Sequence, residues 1–140
     1  MIRYRLDDLG WYQFEWLCQS LLKTQFGLGV EAWGGHADLG RDAYCEGDLP
    51  ISARTVLTEG PFLFQAKFVE EANAAGSAPF PALKNSVLAE CSSIKLRFDS
   101  RGMERIRNYV LITNAPVTPH QRKEIAAILA RVIPNCRVFI

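Results

Sequence analysis

The sequence predicts one α/β domain with a mixed sheet, part of it parallel and covered by helices on both faces. Three observations lead there. Apolar residues recur at steps of three and four in three stretches, and short β-type runs separate those stretches. The later strands alternate with helices, which requires crossover connections and therefore parallel pairing. At 140 residues the chain suffices for one domain and is short for two. A hydrophobic content of 49% with 22% charged residues supports a buried core, and no internal repeat suggests a solenoid.

The elements follow in the order helix, three strands, helix, strand, helix, strand. Asp7 or Asp8 is positioned to cap a first helix whose inner stripe is Phe14, Leu17, Cys18, Leu21 and Gln25. Gly27 and Gly29 end it, and Trp11, Tyr12 and Trp16 add bulk to its early turns. Residues 30–33 form a short strand candidate, followed by the glycine-rich GGHADLGRD of residues 34–42. Residues 43–45 read as a second strand and 46–50 as a turn. The clearest strand is FLFQAKFV, residues 62–69. Residues 70–82, with Gly76, Pro79 and Pro81, read as a surface loop. The spacing of Leu83, Val87, Leu88, Cys91, Ile94 and Phe98 predicts a helix over 83–98. Residues 109–113 form a continuous apolar strand. Thr118 caps a helix over 119–132 with Pro119 at its first position and Ile125, Ile128, Leu129 and Val132 inward. Residues 136–140 make the last strand.

Charges occupy the start, MIRYRLDDLG, where a signal peptide would be apolar, and no run approaches the roughly 18–20 apolar residues of a membrane span. Cys18, Cys45, Cys91 and Cys136 have no zinc-knuckle or CxxC spacing, so small buried thiols in a reducing cytoplasm are expected. The net charge of +1 gives no global attraction to a polyanion. It hides a dipole: residues 1–83 hold 6 basic and 11 acidic residues, residues 84–140 hold 10 and 4.

In the strand 62–69, Phe62, Phe64, Ala66 and Phe68 share one face, while Leu63, Gln65, Lys67 and Val69 share the other. Gln65 and Lys67 therefore stand side by side on an apolar face. A buried ammonium needs a carboxylate, whereas on an edge strand both groups would simply face water. Asp42 opens the strand 43–45. If that strand pairs antiparallel with 62–69, its carboxylate can meet Gln65 and Lys67. Carboxylate and carboxamide oxygens are the hard ligands preferred by Mg2+ or Mn2+. A lysine beside such an ion can orient a water and offset charge on an attacked phosphate. Asp38 suits an outer-shell or loop-capping role. His36 reads as a polar loop residue and His120 as part of a helix's first turn.

GGHADLGRD, followed 23 residues after Asp42 by Phe64-Gln65-Ala66-Lys67, resembles the Mrr-like branch of the PD-(D/E)xK restriction-endonuclease superfamily, in its D…QxK form. Phe14-Glu15 with Leu17, Leu21 and Leu22 matches the first-helix pattern, and YVLITN of 109–114 with the helix after it matches the late strand–helix pair. The resemblance runs from about Leu9 to the end. It implies a restriction-endonuclease-like three-layer fold: an αβββαβ core with a mixed sheet flanked by helices, plus a C-terminal helix and strand. Residues 1–140 would be a single endonuclease domain, the N-terminal effector of a longer protein. By position, Asp42 becomes the metal-binding aspartate, Gln65 the replacement for the second acid and metal ligand, and Lys67 the catalytic lysine. Glu15 becomes a helix glutamate that approaches the metal. The implied cofactor is Mg2+ or Mn2+, with weak Mg2+ affinity because Gln65 lacks a charge, unless Glu15 compensates. The implied partner is double-stranded DNA, cut in prokaryotic defence, with a fused or associated NTPase or sensor module. A homodimer would supply the two sites that a double-strand cut needs.

The basic half then has a use. Lys84 and Lys95 lie eleven residues apart, about three helical turns, and so share a face that could track a phosphate backbone. A merely solvated helix face is the other reading. No helix-turn-helix, zinc-finger or RRM signature suggests base reading. The competing function is a catalytically silent nucleic-acid-binding or dimerisation module of the same fold, which the carboxamide at Gln65 would suit.

Overall fold

In a computed structural model, which describes residues 5–32, 43–51, 57–100 and 106–140, three helices and five strands follow in the expected order. They are α1 (Gly10–Phe26), β1 (Val30–Ala32), β2 (Ala43–Cys45), β3 (Phe62–Lys67), α2 (Pro79–Ser100), β4 (Asn108–Thr113), α3 (Pro119–Ala130) and β5 (Arg137–Phe139). The sheet order is β1-β2-β3-β4-β5. The first two pairings are antiparallel. Those joined by the helical crossovers α2 and α3 are parallel, as the connection lengths require.

Alternation along β3 divides the core. Phe62 and Phe64 pack with Leu22 and Phe26 of α1, together with Val30, Ala43, Cys45 and, on β4, Val110 and Ile112. Leu63, Tyr109 and Leu111 point the other way, against Leu83, Val87 and Ile94 of α2 and Ile125 and Leu129 of α3. Helices thus cover both faces of a mixed five-stranded sheet. Full burial of each large apolar side chain contributes about 1.5–3 kcal/mol, which fixes the register of the central strands.

The local signals work unevenly. Thr118 forms a capping box with Gln121, its side chain accepting from the Gln121 N–H while Gln121 accepts from the Thr118 N–H, and Pro119 occupies the first turn. Gly27 closes α1 at φ 79, its N–H bonded to the Lys23 carbonyl. The start of α1 differs from expectation: Leu9 is its cap, and Asp7 and Asp8 lie in the preceding 3-10 turn. The buried stripe is Phe14, Cys18 and Leu22, a run of steps of four, with Leu21 exposed. Helix α2 begins at Pro79 rather than residue 83. First-turn N–H groups have no intrahelical acceptor, so Pro79 and Pro81 cost no hydrogen bond there. No disulfide joins the four cysteines, of which Cys18 and Cys45 are buried.

Asp7 has a different task from capping. The Asn114 side chain, just beyond β4, accepts from the Val69 N–H (2.8 Å) and donates to the Val69 carbonyl (2.9 Å). It thereby supplies one more rung to the β3–β4 ladder. Asn114 Nδ2 also donates to Asp7 Oδ1 at 2.8 Å, and Asp7 Oδ2 accepts from the Asn73 N–H at 2.8 Å. Among the described residues no helix is long and apolar enough to cross a membrane.

Candidate active site

Gln65 and Lys67 occupy successive positions on the face of β3 that α2 covers. Across the parallel ladder their neighbours are Leu111 and Thr113, and Tyr109 stands opposite Leu63. Gln65 is 3% exposed, and the Lys67 side chain 14%. An ammonium at that depth needs a counter-charge, and α2 provides it. Glu90 follows the buried Val87 by three residues and precedes the buried Ile94 by four, so helical phase turns it toward the sheet.

The Lys67 ammonium donates to Glu90 Oε1 in an ion pair. The Gln65 amide donates through Nε2 to Glu90 Oε2. The buried Tyr109 hydroxyl donates to Gln65 Oε1. The directions are consistent: a carboxylate only accepts and an ammonium only donates, so the nitrogen end of Gln65 faces Glu90 and its oxygen faces Tyr109. One carboxylate therefore holds both polar residues of the QxK strand.

The other residues named from sequence separate into groups. Asp42, with Asp38 and His36, lies outside the described residues. Ala43, which follows Asp42 in the chain, pairs with Phe64, the neighbour of Gln65, and the anticipated antiparallel β2–β3 pairing is present. Tyr44 packs against the core on the Gln65 side. Burial, reinforced by its hydrogen bond to Glu46, pushes the Tyr44 phenol up to about 12, so it stays neutral. Glu15 belongs to α1, the helix covering the opposite face, where its neighbour Phe14 packs on Phe68 with ring centroids 5.7 Å apart. Lys84 forms an ion pair with Glu124 across α2 and α3. Lys95 is exposed on α2. Arg97, Arg101 and Arg105 lie outside the residues whose side chains are described.

Glu90 is the residue that reading the sequence missed. The demand of Lys67 for a carboxylate, combined with the phase set by Leu83, Val87 and Ile94, could have singled it out. The Glu90 carboxylate supplies a hard oxygen donor beside Gln65 and Lys67, and Mg2+ needs only one or two carboxylates beside its waters. Among the described residues no group of three or more His, Cys, Asp or Glu is placed to hold a metal, so a complete site would draw on Asp42 as well. No family model matches the chain, and neither a curated protein nor a solved structure matches it significantly.

Proposed function

We propose that the chain is a nuclease domain of restriction-endonuclease-like fold that hydrolyses phosphodiester bonds of double-stranded DNA with Mg2+ or Mn2+, as a cytoplasmic effector of prokaryotic defence. The observation that carries this reading is the convergence of Gln65 and Lys67 on a single carboxylate, on a strand whose antiparallel neighbour starts one residue after Asp42. The αβββαβ order, with β3 and β4 parallel, supports the same fold.

Asp42 would hold the cation beside the Gln65–Glu90 pair, and the cation when bound supplies Lewis-acid stabilisation of charge on the phosphate. The ammonium of Lys67, fixed by Glu90, offsets charge on the attacked phosphate and orients the attacking water. Lys95 follows the DNA backbone, and Lys84, neutralised by Glu124, adds less. A homodimer provides two sites for a double-strand cut, and a fused NTPase or sensor module provides recognition and trigger.

One observation favours the silent-module reading. Glu90 gives both Gln65 and Lys67 a protein partner, as a purely structural ion pair would. Supercoiled plasmid with Mg2+ or Mn2+ decides between them. The nuclease nicks it only with metal, and Lys67→Ala loses about 10²–10³-fold in rate, the usual scale for one electrostatic stabiliser. Plasmid retardation without nicking supports the module, and nicking unaffected by Lys67→Ala rules out this site.

A further inference from the structure

The QxK strand carries one negative charge fewer than a strand with a second acid, and Glu90 stands where that charge is missing. Its carboxylate touches both Gln65 and Lys67. With two oxygens and about four acceptor sites, it retains capacity for a further partner after those two bonds. The Glu90 side chain is also the more open of the two candidate ligands: it is 26% exposed, against 3% for Gln65. A hydrated cation and a phosphate arrive from solvent, and they meet the carboxylate first.

Gln65 is poorly placed to ligate. Its carbonyl oxygen accepts from the Tyr109 hydroxyl, which belongs to a side chain 1% exposed, and its nitrogen points at Glu90. Presenting the oxygen on the Glu90 side would require an amide flip that breaks both hydrogen bonds and sets two oxygens against each other. We propose that Glu90 is the second acidic ligand of the site, supplied from α2 instead of β3, and that Gln65, locked by Tyr109, is a positioning residue that aims it. The proposal rests on the nuclease reading and assigns to Glu90 the compensating charge that the sequence suggested for Glu15.

Mn2+ titration calorimetry and plasmid nicking, with thermal melting alongside, test it on the full chain. Glu90→Gln is expected to weaken Mn2+ binding about 10- to 100-fold, the scale of losing a group that tunes a metal site, and to slow nicking in step. Adding Gln65→Glu to that variant returns a carboxylate to the strand and is expected to restore both Mn2+ binding and nicking. A purely structural Glu90 would not be rescued this way. Should Glu90→Gln fail to fold, Glu90→Asp keeps the charge and withdraws it by one methylene, and weakened Mn2+ binding is expected. Wild-type Mn2+ affinity in folded Glu90→Gln or Glu90→Asp overturns the proposal, while the nuclease reading survives if Asp42→Ala and Lys67→Ala still abolish nicking. A wild-type chain that neither binds Mn2+ nor nicks plasmid overturns both.

Discussion

Replacing Tyr109 by phenylalanine removes one oxygen and almost no volume, so its effect isolates a single hydrogen bond. The hydroxyl donates to Gln65 Oε1 at a place where Tyr109 is 1% and Gln65 3% exposed, so little water can substitute. Removing one partner of a buried hydrogen bond costs about 1–3 kcal/mol. In a chain of this length, between the size classes for which slopes are known, that corresponds to a melting temperature lower by roughly 3–12 °C. The cost should fall when the acceptor is removed too, because paired deletion of both polar partners is far cheaper than deletion of one. Urea denaturation of Tyr109→Phe, Gln65→Leu and the double variant gives the coupling directly. A coupling of about 0.5–3 kcal/mol is expected for two groups in one network. Strict additivity, or a Tyr109→Phe variant as stable as wild type, would refute the bond from Tyr109 to Gln65.

Three further outcomes are expected. A methyl group at Gly60 would meet the Glu46 carbonyl oxygen at 2.7 Å and the Gly47 carbonyl closer still, so Gly60→Ala should destabilise by about 1–3 kcal/mol; an unchanged urea midpoint contradicts that packing. Burial holds the Cys136 thiol up to about 12 from its ordinary 9.0. The unfolded chain therefore loses that proton first, and stability falls as pH rises from about 9 toward 12; the wild-type midpoint should drop more over that window than that of Cys136→Ala, and parallel curves would rule it out. If DNA lies along α2, Lys95→Ala should reduce the salt slope of duplex binding by about 0.9 for each phosphate that the lysine neutralises. Lys84→Ala should reduce it less because Glu124 already neutralises Lys84. Fluorescence anisotropy across a salt series checks this, and an unaltered slope in Lys95→Ala removes that lysine from the interface.

The readable parts of this sequence were those with local causes. Thr118, Pro119 and Gln121 state a helix start within four residues. FLFQAKFV states a strand and assigns Gln65 and Lys67 to one face. Helices between the later strands force their parallel pairing. Errors arose where local signals competed or a tertiary partner decided. Two prolines near residue 80 read as a loop, although a helix tolerates them in its first turn. Leu21 and Leu22 are equal in hydropathy, and the sheet selects Leu22. Asp7 has the chemistry of a cap, but Asn73 and Asn114 claim its carboxylate. Glu90 carries no motif and acquires meaning only when α2 folds back over β3.

The hydrogen bond between Asp7 and Asn114 spans 107 positions in the chain, so it closes a ring through nearly the whole topology. Chain-entropy cost grows only logarithmically with such a span, but no short segment can form the bond alone. In the native fold it ties the N-terminal turn to the end of β4. In the finished protein the 3-10 turn, the segment around Asn73 and the Val69 rung should open as one cooperative unit, with common hydrogen-exchange protection. Val69 lies two residues beyond Lys67, so this unit ends beside that lysine.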